Sequence, residues 1–491
     1  MRKHRETTIA LRLLLGLLAL LTAAGAAQAE DCEGQDLLQP EIRDSEQGRL
    51  NTEMTVAYST NVLGCDKVYL RNYEGTLRPP TFWVKPGDRI NMQLNNNLPP
   101  TNMEHPTDSN VPHGFNITNF HTHGWHISPT GNSDNVLLEL EPGHGLYYEF
   151  NLPEDHPAGT FWYHPHKHGS TAMQVASAMA GVLIVEGGLD NNPQIAAARD
   201  QIMILQQIPY KLNDDQVGTI EDFTQLQGEY TRPTFVNGQV HPIIRMKPGE
   251  VQRWRFVQAG ILELVHLSLE GHKLNVIAWD GLATGSIDAY ETVELAPGNR
   301  VDVLIQAGAA GTYKLMKQAE QPDQSLRNEY TNEELVATLV VEGDPNPMDL
   351  PQSSALAQYK PFRDITPNQL DSQKDVIFAK NGSSSFFNIN GVPFSPNEVP
   401  WQLQLGDYEQ WNLSSDDQNH PFHIHVNPFM VVKIGDRELN PPRWMDTILV
   451  RKGQPVVFYT YYKRYIGSFV FHCHILNHED QGMMRLVEIV P

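Results

Sequence analysis

Twelve of the 20 histidines in this 491-residue chain fall into four short clusters: His121, His123 and His126; His164, His166 and His168; His420, His423 and His425; His472, His474 and His478. Five His-x-His pairs result. Residues two apart on a β-strand point to the same face, about 6.7 Å apart along the strand, so each pair can present two imidazoles to one cavity. A pair can chelate one ion or serve two adjacent ions, and spacing alone leaves both open. The last cluster is the most specific. Cys473, His478 and Met483, with His420 upstream, offer one thiolate, two imidazoles and a thioether. That donor set is the trigonal His2Cys site with a weak axial Met of blue, electron-transferring copper. Zinc would accept the same Cys and His but has no use for the thioether.

The elements that must carry these residues are strands. Helical periodicity is scarce, and short β-rich runs follow recurring turns at Lys85-Pro86-Gly87-Asp88, Lys247-Pro248-Gly249-Glu250 and Gln404-Leu405-Gly406-Asp407. Gly159-Thr160-Phe161, Gly311-Thr312-Tyr313 and Gly467-Ser468-Phe469 repeat with nearly the same step, as do the strand ends Val185-Glu186, Val341-Glu342 and Val487-Glu488. A step of this length implies three homologous domains rather than a solenoid. The Gly/Asn-rich stretch after Val185-Glu186 and the Pro-rich stretch after Val341-Glu342 read as linkers. The predicted organisation is residues 1–29 as an export signal, then domains at 30–190, 191–345 and 346–491, each a Greek-key β-sandwich.

Aligned on the repeat, the middle unit lacks the metal-binding pattern. It has His266-Leu267-Ser268 where the others have His121-Thr122-His123 and His423-Ile424-His425, and Met316-Lys317-Gln318 where they have His164-Pro165-His166 and His472-Cys473-His474. A site built from this chain must therefore join the first and last units.

Arg2, Lys3 and Arg5 precede the apolar run Leu13 to Leu21, and Ala27-Gln28-Ala29 is a small-x-small cleavage site. The run is too short for a comfortable membrane span, and no other long apolar segment follows. The expected compartment is the periplasm, or alternatively the extracellular space, with no membrane span once the signal is removed. A Cys32–Cys65 disulfide can persist there. This pairing leaves Cys473 as an odd thiol, which copper explains. The net charge of −22 repels polyphosphate and argues against nucleic acid as a partner.

The segments Asn119-Phe120-His121-Thr122-His123-Gly124, Trp162-Tyr163-His164-Pro165-His166, His420-Pro421-Phe422-His423-Ile424-His425 and His472-Cys473-His474-Ile475-Leu476-Asn477-His478 resemble, in order, the four copper motifs of three-domain multicopper oxidases of the laccase kind. The resemblance covers essentially the whole mature chain. It implies an all-β fold of three cupredoxin-like domains and four coppers per chain. A type 1 copper would take His420, Cys473 and His478, with Met483 axial. A type 2 copper would take His121 and His423. Two type 3 coppers would share His123, His164, His166, His425, His472 and His474.

The activity so implied couples one-electron oxidation of a phenol or aromatic amine to four-electron reduction of O2 to water. Glu479 and Asp134 match positions where the family places proton donors; each could instead be solvated or orient a ligand. His126 and His168 exceed the ligand count, and His266 reads as structural. Asp416 and Asp417 could dock a cation, although such a pair more often marks a turn. The alternative enzyme is a metallo-oxidase of Cu(I) or Fe(II), against which the 14 dispersed Met weigh, since no Met-rich segment occurs. A non-enzymatic cupredoxin scaffold would lack ligands that this chain retains, and copper nitrite reductases do not flank the cysteine with two histidines.

Overall fold

The computed structural model describes residues 32, 34–100, 106–226, 233–380 and 387–491; the export signal read at 1–29 lies outside them. Its strands form six sheets, one five-stranded and one six-stranded in each of three successive units. The protein is all-β, built of cupredoxin-like sandwiches.

The repeated turns do the same work in each unit. Gly87, Gly249 and Gly406 take φ of +88, +78 and +97°, which costs a glycine nothing. The acidic residue that follows closes the turn in the first two, where Lys85 N donates to Asp88 at 2.7 Å and Lys247 N to Glu250 at 2.7 Å. Each turn feeds a long strand. Arg89–Asn96 and Tyr408–Ser415 alternate buried and more exposed residues, as a sheet with one covered face requires.

The equivalent middle strand, Val251–Gln258, alternates in sequence yet is buried on both faces. Its polar side faces an interdomain seam. Arg253 meets Asp190 and Asp302 at 2.5 Å each, and Arg255 meets Asp200 at 3.0 Å. Beside these pairs, Trp162, Val182 and Ile184 of the first unit pack on Ile202, Ile204 and Val257 of the second. Burial of each such side chain contributes about 1.5–3 kcal/mol, and the buried arginines persist because their carboxylates are buried with them.

The chain also crosses its own seams. Leu37 N donates to Ile243 O at 2.8 Å, tying the N-terminal segment to the middle unit. The hairpin of Lys211–Leu212 and Val217–Thr219 leaves the middle unit and adds to the first unit's six-stranded sheet, with Val217 paired in parallel to Lys67. Lys463 and Arg464 of the third unit clamp Asp155 of the first.

Candidate metal centre

The five-stranded sheets of the first and third units carry the histidines. His121–His123 pairs antiparallel with Gly159–His164, placing His121 opposite His164. His420–Ile424 pairs antiparallel with Gly467–Cys473, placing His423 opposite His472 and Phe422 opposite Cys473. The middle unit repeats this pairing with Leu267 opposite Lys317 and Ser268 opposite Met316, so it has the frame without the donors.

The two sheets meet with their histidines interleaved. His121 stacks on His425 with ring centroids 4.0 Å apart, His123 stacks on His423 at 3.8 Å, and His166 stands edge-on to His472 at 4.8 Å. All eight imidazoles of this cavity, His121, His123, His164, His166, His423, His425, His472 and His474, are at most 2% exposed. Burial first, and for most of them the neighbouring imidazoles second, hold their pKa values down, with His164 at about 3 and His472 at about 4. They are therefore neutral, as metal ligands must be.

Their hydrogen bonds aim the lone pairs inward. His164 Nδ1 donates to Pro165 O at 2.8 Å, His423 Nδ1 to Asp446 O at 2.8 Å, and His472 Nδ1 to Cys473 O at 3.0 Å, while His121 Nδ1 lies 3.0 Å from Asp134. With Nδ1 carrying the hydrogen, Nε2 is a bare acceptor. The Nε2 atoms of His121, His164 and His423 are buried without any partner, as are both ring nitrogens of His474. His472 Nε2 faces His166 Nε2 at 3.1 Å and His425 Nε2 at 3.4 Å. Lone pairs converging like this repel unless a cation lies between them, so these residues fit bound metal ions. Donor atoms within 4.8 Å of one another group His166 with His425 and His472, His121 with His423 and His425, and His121 with His123 and His164. His474 joins none of these triples; its ring stands 5.1 Å from His123 and 5.7 Å from His164.

A second, smaller donor set lies one residue from this cavity along the same strand. Cys473 Sγ is 3.4 Å from His420 Nδ1 and 3.9 Å from His478 Nδ1, which are themselves 3.4 Å apart. All three are buried, and Ile475 N donates to the sulfur at 3.4 Å. Burial pushes the Cys473 thiol well up, so a thiolate here requires an adjacent cation. Met483 is fully buried beside it, and its carbonyl accepts from Cys473 N at 3.0 Å. The Nε2 edges of the two histidines point away from the sulfur. His420 Nε2 meets Asp417 Oδ1 at 3.1 Å, and the Gln418 amide lies 3.2 Å from His478 Nε2. Phe387 stacks on His478 at 3.8 Å.

The two expected carboxylates both touch the histidine cavity. Besides facing His121 Nδ1, Asp134 accepts from Thr122 N at 2.8 Å, and burial raises it to about 7. Glu479 is fully buried. Its Oε1 accepts from Thr171 at 3.2 Å and lies 3.5 Å from His166 Nδ1. Its Oε2 lies 3.2 Å from His472 Nδ1, but that nitrogen's hydrogen is committed to Cys473 O, so Oε2 has no hydrogen-bond partner. Burial, and then the neighbouring Asp480, raise Glu479 well above the ordinary carboxylate range.

Sequence reasoning missed Asp446 and Arg300. Asp446 Oδ1 lies 3.2 Å from His123 Nε2, its carbonyl orients His423, and its carboxylate is gripped by Arg300 of the middle unit. The signal was present as a carboxylate interrupting the run Trp444-Met445-Asp446-Thr447-Ile448-Leu449-Val450. Gly124, φ +89°, lies against this pair; a Cβ there would run into both Arg300 and Asp446. Gln418 was likewise unremarked, and Asp480, which accepts from Gly169 N at 2.7 Å and Ala172 N at 2.8 Å, anchors the first unit to the third. The extra histidines are not ligand partners of the cavity: His126 Nδ1 donates to Val426 O at 2.8 Å, His168 Nε2 meets Asn110 at 3.2 Å, and His266 bonds Glu294 at 2.7 Å. Asp416 is exposed, whereas Asp417 reaches His420.

Comparison with known proteins points to one family. Three family models, each described as multicopper oxidase, match residues 110–189, 160–342 and 361–491. The chain is 27% identical over 429 residues to "Multicopper oxidase mco" of Staphylococcus aureus, covering 85% of this chain and 83% of that one. It is 23% identical to a laccase of Bacillus stratosphericus, over 86% of this chain and 91% of the relative. Among solved structures, a multicopper oxidase from Campylobacter jejuni described as a metallo-oxidase superposes with a TM-score of 0.77 at 22% identity, over 93% of this chain and 95% of that one.

Proposed function

The chain belongs to the multicopper oxidase family and is a copper oxidoreductase using O2, and from that premise we propose that it oxidises phenols or aromatic amines one electron at a time and reduces O2 to water. Four donors supply four electrons to each O2, and four protons complete two waters. The observation that carries this reading is the strand Gly467–Cys473 with its continuation to His474: Cys473 belongs to one donor set, and its covalent neighbours His472 and His474 belong to the other.

In this reading His420, Cys473 and His478, together with Met483, would hold a type 1 copper; His121 and His423 would hold a type 2 copper; and His123, His164, His166, His425, His472 and His474 would hold two type 3 coppers. When bound, these ions supply one-electron uptake at the first site and a four-electron reservoir for O2 at the second. The peptide between Cys473 and its flanking histidines gives electrons a short through-bond route. The Nε2 edges of His420 and His478 receive the donor. Glu479 holds a proton at the cavity wall, where its unpartnered Oε2 is free to carry one, and Asp134 fixes the tautomer of His121 and can pass a proton through the same contact.

Asp417 supports a second reading. A carboxylate on His420 Nε2 can dock a cation as readily as it accepts a phenolic proton, so Cu(I) or Fe(II) is the alternative donor. The export signal read in the sequence supports a periplasmic or extracellular compartment, and no helix among the described residues is long and apolar enough to cross a membrane. Copper-loaded protein assayed by O2 consumption on a methoxyphenol, an aromatic amine, Cu(I) and Fe(II) tests the proposal. Turnover of the phenol without excess Cu(II) supports it; turnover only of the metal ions, or a strict need for added copper, selects the alternative.

A further inference from the structure

A cavity of about 240 Å³ opens between the middle and third units, away from both donor sets. Trp279, Tyr290 and Trp444 give it aromatic walls, and Lys360, Arg437 and Arg443 give it positive charge, opposed by Asp288. At ~30 Å³ per water it has the room of about eight waters, below the size of a drug pocket but enough for one small molecule.

Arg443 is the unusual member. Its guanidinium lies over the Trp279 ring at 4.5 Å, so one face is covered by the indole. Among the described residues it makes no side-chain hydrogen bond and no ion pair, although it is half-buried and burial pulls its pKa down. Arg253, Arg255 and Arg300, which are fully buried, are all paired, whereas Arg443 is half-buried and lines the cavity with its donors unused. Lys360 is engaged by Asp364 at 2.6 Å, and Asp288, which accepts from Ser286 at 2.7 Å, favours the Arg443 charge at a distance without bonding it. Trp444, which forms a further wall, also keeps its indole N–H without an acceptor. The chain's net charge of −22 disfavours anions at long range, so an excess of cationic groups around one cavity acts by contact rather than by steering.

We propose that this cavity is a binding site for a small planar carboxylate, held by the Arg443 guanidinium with its flat body against Trp279, Tyr290 and Trp444. The guanidinium fork matches a carboxylate in two parallel hydrogen bonds, and aromatic walls select a planar apolar body over a compact inorganic anion. The site is separate from the two donor sets but touches their scaffold, since Trp279 precedes Asp280, whose carbonyl accepts from Arg300 at 2.8 Å, and Trp444 stands two residues before Asp446.

Titration calorimetry on the copper-loaded protein tests this with sodium benzoate as the probe, and with benzamide, sodium phosphate and sodium chloride at matched ionic strength. Benzoate binds saturably at one site, and the uncharged benzamide and the two inorganic anions bind at least about tenfold more weakly, the loss expected for a charge-assisted pair. Arg443→Gln weakens benzoate by about tenfold or more while the blue absorption and melting temperature stay as in the wild type. Absence of saturable benzoate binding, benzamide or phosphate binding as tight as benzoate, or unchanged affinity in a folded Arg443→Gln protein would each overturn the proposal. The benzamide and phosphate arms need no variant, so they decide the matter even if Arg443→Gln fails to fold.

Discussion

Arg300 of the middle unit grips Asp446 of the third with two hydrogen bonds, Nη1 to Oδ1 at 2.7 Å and Nη2 to Oδ2 at 2.6 Å. Both residues are buried, and Asp446 in turn faces His123 and orients His423 through its carbonyl. A domain that lost its own ligands thus holds those of its neighbours. Arg300→Leu leaves a buried carboxylate unpaired at a cost of about 3–5 kcal/mol. Its expected signature is a lost or altered type 2 copper signal in electron paramagnetic resonance, with the blue absorption retained. Arg300→Lys keeps the charge but not the fork and falls between the two. Equal loss of both copper signals would mean that Arg300 supports only the overall fold.

Cys473→Ser removes the only sulfur anion of the small donor set. The intense blue absorption and the oxidase activity disappear together, whereas copper bound by the eight-histidine cavity remains. Metal analysis then finds one copper fewer per chain. Survival of either the colour or the activity would refute the assigned role.

Asp417 lies at the outer edge of His420, where its charge favours the more positive, oxidised state of a metal on Nδ1. Asp417→Asn therefore raises the type 1 potential. A charge-assisted hydrogen bond of about 1.5 kcal/mol corresponds to roughly 60 mV for one electron. Redox titration reads this directly. A rise in KM for Cu(I) or Fe(II) without one for a methoxyphenol would identify the carboxylate as a cation dock.

Glu320 supplies a pH dependence away from the copper ligands. It is 1% exposed, its Oε1 has no partner, and burial raises it from 4.5 to about 7, against the partial pull of His266 and Lys317. A carboxyl whose folded-state pKa is raised stays protonated in the native protein while the unfolded chain ionises. Its contribution is complete below pH 4.5 and is lost as pH rises through about 7. Glu320→Gln removes this slope. Thermal unfolding at pH 5 gives wild type and variant the same melting temperature, and at pH 8 the variant melts higher by about 2 °C or more. A constant difference across that range would show that ionisation is not the cause.

Most of the histidine chemistry was legible in the chain itself because it is local. His-x-His on a strand places two donors on one face whatever the tertiary fold, and Cys473, His478 and Met483 lie within a single strand-turn segment. The threefold repeat is likewise a property of order along the chain, and the missing donors at Ser268, Met316, Lys317 and Gln318 foretold which units must meet. The tertiary structure alone decided what lies between residues far apart in sequence. It brought Arg300 to Asp446, and Asp134 and Glu479 to histidines of one cavity. It also buried both faces of Val251–Gln258, because the first unit packs beside it and Arg253 and Arg255 find carboxylates at Asp190, Asp200 and Asp302. Ligand identity follows from residue type and a short spacing, whereas the orientation, charge and proton supply of those ligands depend on contacts across domain seams, for which one sequence has no period to read.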